Sequence, residues 1–361
     1  MTKQSVYMRW AKEHAAARYN LANSGMLPCS SADLEFQLGD VQINGASADG
    51  YPPLLAAIAA RYDVSVDQIV TAPGTSGANF LAFAALIEPG DEVLVEQPTY
   101  EPLLAAVGFC GGRIRRFQRR FENGYRWDLD EIRSLLADRV RLIVIANPHN
   151  PSGVLLPAGE IAELARAAEE AGAFVLVDEV YRDIWFEDAP PSHVHLGANV
   201  IATNSLTKSY GLSGLRCGWV FGAPEVIDRM RKLRDLMEAV DAMPAESLSV
   251  AAFRQLPSLA ERARSILDPN IAQVRAFLAD HEEWLDCVIP SRSMTVFPRL
   301  KKQQDSEPLH DWLRGRETSI VPGKFFEDRR HFRLGFAVRP EDVAAGLRNL
   351  SEGLRRRGDV P

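Results

Sequence analysis

The chain has 361 residues, 46% of them apolar and 25% charged, and a net charge of −7. That balance is typical of a soluble globular protein with one large domain and a smaller one, and it gives neither nucleic acid nor a membrane surface a reason to bind. The four cysteines, Cys29, Cys110, Cys217 and Cys287, lack metal-ligand spacing and read as reduced thiols of a cytoplasmic protein that holds no metal.

The amino-terminal stretch "MTKQSVYMRWAKEHAAARYNL" mixes charged and apolar residues as a helix does and has no signal-peptide core. No apolar run approaches the ~20 residues needed to span a bilayer. From about residue 53 helices and strands alternate. "PLLAAIAARY" reads as a helix, "QIVTAPG" as a strand, and "GANFLAFAALIEPG" as a helix closed by Pro-Gly. "EVLVEQP" is a strand, "EPLLAAVGFCGG" a helix ending in glycines, and "RIRRF" a short strand. The acidic opening of "DLDEIRSLLAD" suits a helix start. "RLIVIANP" is nearly all apolar, as a strand buried on both faces should be. "PAGEIAELARAAEEAG" has proline near its first turn and glycine at its end, which marks a helix. "AFVLVDE", "VIATNS" and "CGWVFG" are further buried strands. This order predicts an α/β fold with a doubly wound, mostly parallel sheet covered by helices.

After residue 224 the pattern becomes helical ("PEVIDRMRKLRDLMEAV", "ESLSVAAFRQL", "LAERARSILDPNIAQVRAFLADH"), then returns to short strands in "MTVFPRL" and "HFRLGFAV". The expected division is a large domain over 46–255 and a smaller α+β domain over 256–361. Residues 1–45 are too few for a core and are expected to join the small domain or an interface.

Four strand ends carry polar residues that a plain connection does not need. "TAPGTSGAN" opens a helix with small residues and free amides, a setting that suits an anion such as phosphate, though such turns also occur without a ligand. In "IANPHNPSG", Asn150 is held between Pro148 and Pro151; ordinary turn formation would explain the segment as well. "VLVDEVY" ends four buried apolar residues with Asp178, a carboxylate that needs a partner or serves as a helix cap. Tyr181 follows one turn later. "SLTKSYGLSGLRCGW" then supplies Ser205, Lys208 and Arg216. A lysine at a strand's carboxyl end lies where open α/β sheets bind ligands, and with little water around it becomes a nucleophilic amine; a solvated loop lysine is the plainer alternative. A fixed guanidinium such as that of Arg216 suits a phosphate. Together these residues describe one ligand, an aldehyde cofactor with a phosphate on one side and a basic ring nitrogen on the other.

These motifs resemble those of the class I and II aminotransferases of fold type I, which depend on pyridoxal 5′-phosphate. "SLTKSYGLSGLRCG" matches the family's lysine segment except at Cys217, where an aliphatic residue is usual. "NPHNPSG" resembles its Asn-Pro-x-Asn-Pro-Thr-Gly, and "DEVY" its Asp-x-x-Tyr. All come in family order, and the resemblance covers nearly the whole chain. It implies that Lys208 forms the aldimine with the cofactor and shuttles the substrate's Cα proton, while Asp178 pairs with the ring nitrogen. Asn150 and Tyr181 would bond the phenolate oxygen. Thr75, Ser76, Ser205 and Arg216 would hold the phosphate, and Tyr100 would stack on the ring. Arg333 in "HFRLGFAV" would grip the substrate α-carboxylate, with Asn23, Ser24 and Gly25 in "YNLANSGM" beside it.

Two departures stand out. Where many members carry a tyrosine that reaches the neighbouring subunit's phosphate, this chain has Asn44 or Gly45, with Tyr51 nearby. Before the late strand, Pro-x-Gly-Gly is replaced by "IPSRSMTVF", so Ser293 and Met294 are expected to reshape the substrate pocket. The resemblance implies transfer of an amino group between an L-amino acid and a 2-oxo acid in a homodimer. A lyase, decarboxylase or biosynthetic cyclase on the same scaffold is the alternative. A regulatory effector domain is disfavoured by the acidic balance and the short segment before the sheet. Trp10, Tyr19 and Met26 hint at an apolar or aromatic pocket, and no second basic residue is assigned to a distal carboxylate.

Overall fold

The computed structural model describes residues 4–358 apart from 46, 48, 137, 138 and 239, so the domain boundary expected at residue 46 lies outside the described residues. Its centre is a seven-stranded sheet. Across the sheet the strands run Ile69–Pro73, Cys217–Phe221, Val200–Ser205, Phe174–Asp178, Val140–Ala146, Glu92–Gln97 and Arg113–Gln118. Cys217–Phe221 is antiparallel to both its neighbours, and every other pairing is parallel. All seven segments are those the sequence predicts, six from apolar runs and Arg113–Gln118 from the short run "RIRRF".

Alternation along each strand divides the core between two faces. Val93, Val95 and Val144 pack with Leu81, Phe83 and Ile227 on one face, while Leu94, Ile143 and Ile145 pack with Ile161 and Leu164 on the other. Helices Gly74–Leu86 and Pro224–Arg234 cover the first face and Ala158–Glu170 the second. With both faces covered, Val140–Ala146 is buried at every position but Arg141, whose guanidinium lies 5.1 Å from the ring of Phe174.

Parallel alignment also collects the carboxyl ends of the strands along one edge. Ala146 pairs with Asp178, Asp178 with Thr203, and Ser205 with Gly218. Residues 13 to 32 apart in sequence thereby become neighbours, which is why ligands bind at such an edge.

The late part of the chain differs in one respect from its sequence pattern. "MTVFPRL" is two strands, Thr295–Val296 and Arg299–Leu300, which pair into separate sheets. Pro298 between them has no N–H to continue a ladder. Phe332–Gly335 lies between Thr295–Val296 and Val321–Pro322, antiparallel to each. The amino-terminal segment is tied to this region, because Tyr19–Asn20 pairs in parallel with Thr318–Ser319. Gly335 lets it cross closely: its N–H donates to Leu21 O at 2.7 Å, and a Cβ there would stand 1.7 Å from Asn23 O. Helix Val6–Glu13, shorter than the sequence predicts, lies against the start of helix Glu101–Phe109, where Val6 N donates to Glu101 Oε1 at 3.3 Å.

Candidate active site

A cavity of about 460 Å³ opens at the carboxyl edge of the sheet. Thr75, Ser76, Tyr100, Asn150, Asp178, Tyr181, Ser205, Lys208, Arg216 and Ser24 all line it.

One end is built on the first turn of Gly74–Leu86. Gly74 takes φ +74°, a conformation that favours glycine, and its missing side chain leaves room for Arg216. A Cβ on Gly74 would lie 2.4 Å from Arg216 Nη2. That guanidinium donates to Pro73 O at 2.9 Å and Ser213 O at 3.2 Å, which fixes it beside the helix start. Thr75 Oγ1 donates to Ser205 Oγ at 2.8 Å, so hydroxyls from the helix and the strand end meet here. Free amides, a cation and hydroxyls converge on one spot, as an anion requires.

At the cavity floor Asp178 is 5% exposed. Its Oδ2 accepts from Asn79 Nδ2 at 2.8 Å and its Oδ1 from Val180 N at 3.0 Å. Thr203 Oγ1 donates to Asn79 Oδ1 at 2.6 Å, which fixes the amide so that its NH2 faces the carboxylate. Burial raises the Asp178 pKa to about 6, against the pull of Asn79, Val180 N and Lys208. Glu179 beside it has a separate partner, the His193 ring at 2.7 Å.

Lys208 enters from the loop after Val200–Ser205, and its Nζ donates to Ser24 Oγ at 3.0 Å. Burial lowers its pKa to about 8, aided by Arg333 and Arg216 and opposed by Asp178. Near neutral pH an appreciable share of this amine is unprotonated and able to attack. Burial pushes the Tyr181 phenol up to about 12, so it stays a proton donor.

Arg333 is wholly buried behind this cavity. Its hydrogen bonds go to neutral acceptors: Asn150 Oδ1 at 3.0 Å, Tyr7 Oη at 2.7 Å and Ala22 O at 3.3 Å. Asn23 closes a local turn on Gly25 at 2.9 Å, and a Cβ on Gly25 would meet Lys208 Cδ at 3.3 Å. Neither residue lines the main cavity. Asn23 instead lines an adjoining space of about 200 Å³ that shares Met8, Ser24, Tyr100 and Lys208 with it.

Several expectations change. Ser293 and Met294 line neither cavity: Ser293 bonds Thr295 O at 2.7 Å and packs under Gly153, and Met294 is core. Ser293 touches the loop that carries Asn150 at Gly153. Of the three residues read as a possible aromatic wall, Trp10 lines the adjoining cavity, whereas Tyr19 is in the edge strand and Met26 in the core. Sequence reasoning missed Asn79, Thr207, Tyr7, Met8 and Lys12. Asn79 lies four residues after Thr75 on the same helix face, a spacing that could have found it. Met8 and Lys12 share a face of Val6–Glu13 in the same way, and Lys12 supplies the basic side chain at the cavity that the sequence did not assign.

The family model for aminotransferase class I and II matches residues 42–350. The chain belongs to this aminotransferase family. It is 32% identical over 338 residues to the capreomycidine synthase of Streptomyces vinaceus, covering 89% of this chain and 85% of that one. It is 33% identical over 296 residues to the arginine–pyruvate transaminase of Pseudomonas aeruginosa, covering 80% and 75%. A solved PLP-dependent aminotransferase from Streptococcus suis superposes with a TM-score of 0.89 at 30% identity, over 97% and 96% of the chains. The cofactor of this aminotransferase family is pyridoxal phosphate, and the cavity fits it. An anion cradle stands at one end, a buried carboxylate at the floor, and an amine of lowered basicity between them.

Proposed function

We propose that this aminotransferase moves an amino group from an L-amino acid to a 2-oxo acid through the cavity around Lys208, as a cytoplasmic homodimer. Bound there, pyridoxal phosphate supplies an aldehyde for an amine to attack and an electron sink for the pair left when a bond at Cα breaks. Thr75, Ser76, Ser205 and Arg216 would hold its phosphate. Asp178 would keep its ring nitrogen protonated, with Asn79 holding the carboxylate in place. Asn150 and Tyr181 would donate to its phenolate oxygen, and Tyr100 would cover the ring. Lys208 Nζ would hold the aldehyde, and as an amine of lowered basicity it would be the group that carries the substrate's Cα proton.

The observation that carries this reading is Arg333, a fully buried cation whose hydrogen-bond partners are all neutral. Such a charge is costly unless a ligand brings the anion. A carboxylate held there keeps the substrate's acid group in place, which favours loss of the Cα proton over loss of carbon dioxide. Ser24, Asn23 and Gly25 would border the same group.

A dimer is supported by exposed apolar side chains. Leu38, Ile43, Leu236, Met237 and Val240 are 87%, 77%, 82%, 51% and 51% exposed. Leu236, Met237 and Val240 stand in the chain beside Glu238 and Asp241, which line a space of about 300 Å³ that includes Arg216. A partner seated on this face would cover them and reach the phosphate end, where Asn44 and Tyr51 replace the usual contact. No helix among the described residues is long and apolar enough to cross a membrane, in keeping with a cytoplasmic site. We assign the large domain to about 46–255 and the small one to about 256–361; the pairing of Tyr19–Asn20 with Thr318–Ser319 supports grouping the amino-terminal segment with the latter.

The test is the visible spectrum of the purified protein against single L-amino acids without any oxo acid. A cofactor band that bleaches and returns on adding a 2-oxo acid is expected, and it names the donor. Release of ammonia or carbon dioxide, or a cyclised product, while the band persists would replace this reading with a lyase, a decarboxylase or a cyclase such as the capreomycidine synthase relative.

A further inference from the structure

The guanidinium of Arg333 is not free to receive a carboxylate on its own terms. Of its five N–H donors, one on Nη1 goes to Asn150 and two on Nη2 go to Tyr7 and Ala22. The pair of parallel bonds by which an arginine grips a carboxylate uses an N–H of Nη2 on either of its outer edges. A carboxylate arriving at Arg333 therefore meets the Tyr7 hydroxyl already bonded to the edge it needs.

Tyr7 is held firmly there. It is 5% exposed, on helix Val6–Glu13, which starts at a Ser5 cap accepting from Met8 N at 3.0 Å. Its ring meets Tyr100 edge-on with centroids 5.4 Å apart, and Phe325 at 5.7 Å. The same ring lies 5.6 Å from the Arg333 guanidinium carbon, and Phe326 lies 5.1 Å from it. Tyr7 lines the smaller cavity that joins the main one at Ser24 and Lys208. It thus faces the space a substrate would enter.

We propose that Tyr7 is a further ligand of the substrate carboxylate beside Arg333, accepting from Arg333 while donating its own O–H to a carboxylate oxygen. The phenol oxygen has lone pairs for the guanidinium and one proton to give, so both bonds form at once. A hydroxyl already bonded to a cation is polarised and donates more strongly. The inference rests on Arg333 as the carboxylate site and adds a residue that the motifs do not contain. It also gives helix Val6–Glu13 a chemical task, because the segment before the sheet then contributes a substrate contact.

The experiment uses the cofactor-loaded protein and the L-amino acid found to bleach its band, titrated without oxo acid against Tyr7→Phe, Arg333→Lys and the double variant. Tyr7→Phe keeps the ring contacts, and an unchanged cofactor band and thermal midpoint verify its fold. We expect its apparent Kd to rise about tenfold, with a smaller change in the limiting bleaching rate. In the Arg333→Lys background the same Tyr7→Phe change should cost less than about threefold, because both side chains act on one carboxylate. An unchanged Kd, a tighter one, or losses that simply multiply would overturn the proposal: Tyr7 would then be packing, or a plug over Arg333. A wild-type protein that no amino acid bleaches refutes the reading of the whole site instead, so the two failures are distinguishable.

Discussion

At the scale of single residues, the chemistry depends on groups kept away from their ordinary ionisation. Asp178 and Lys208 line one cavity, and burial moves each toward its neutral form, to about 6 and about 8. Asn79 is the residue that restrains this drift for the carboxylate. Its NH2 donates to Asp178 and its carbonyl is fixed by Thr203, so it cannot turn without losing a bond. Asn79→Ala removes one charge-assisted bond, about 1–2 kcal/mol. The cofactor should then bind about tenfold more weakly, measured by equilibrium dialysis, and the acid limb of the activity profile should move to higher pH. An unaltered affinity would mean that Val180 N alone suffices to hold the carboxylate.

At the scale of elements, glycines set how closely the pieces of the phosphate end approach. Gly74 and Gly218 look alike in sequence but differ in what stands against them. A side chain on Gly74 would strike the end of Arg216, which can move aside. One on Gly218 would strike the Gly74 backbone at 2.4 Å, which cannot. Gly74→Ala is therefore expected to fold, at a cost of about 1 kcal/mol for the left-handed backbone, but to bind cofactor at least tenfold more weakly because the guanidinium is displaced. Gly218→Ala should instead lower the thermal midpoint of the cofactor-free protein strongly. Cofactor titration and thermal melts of the two variants separate these effects; matching results from both would contradict this division.

At the scale of the molecule, the buried pair makes stability depend on pH in two windows. Asp178 has a folded pKa of about 6 against an ordinary 3.8, so its contribution is lost as pH rises across that interval. Lys208 has a folded pKa of about 8 against 10.5, so its contribution is complete above 10.5 and lost as pH falls to 8. Cofactor-free protein should consequently melt at lower temperature between pH 6 and 8 than these groups alone would allow on either side. Lys208→Met should remove the alkaline rise, a difference of about 3 kcal/mol that differential scanning calorimetry would resolve. The apolar face around Leu236 and Met237 yields the remaining prediction. Leu236→Asp with Met237→Lys should shift sedimentation from dimer to monomer and reduce activity at least tenfold, while the monomer stays folded. A wild-type protein that sediments as a monomer would remove the basis for a partner at the phosphate end.

The sequence by itself determined the sheet strands. The central ones, buried on both faces, must be apolar throughout, whereas the edge strand Arg113–Gln118, with one buried position, is marked only by the glycines before it and the helix start after it. It also determined the order in which Thr75, Asn150, Asp178, Lys208 and Arg216 occur, since each is fixed to a strand end by its own local motif. Tertiary structure alone decided which residues complete them. Asn79 looks like any polar helix residue until Asp178 is brought beside it by sheet pairing. Tyr7 and Lys12 belong to a short amphipathic helix with no motif, and they reach the site only because Tyr19–Asn20 pairs with Thr318–Ser319 and Gly335 lets the segment cross. Ser293, expected at the pocket, is turned beneath Gly153 by the same packing. Local pattern reports how a segment folds and which end of a strand it follows; distances between segments depend on packing across the whole chain, which no local pattern encodes.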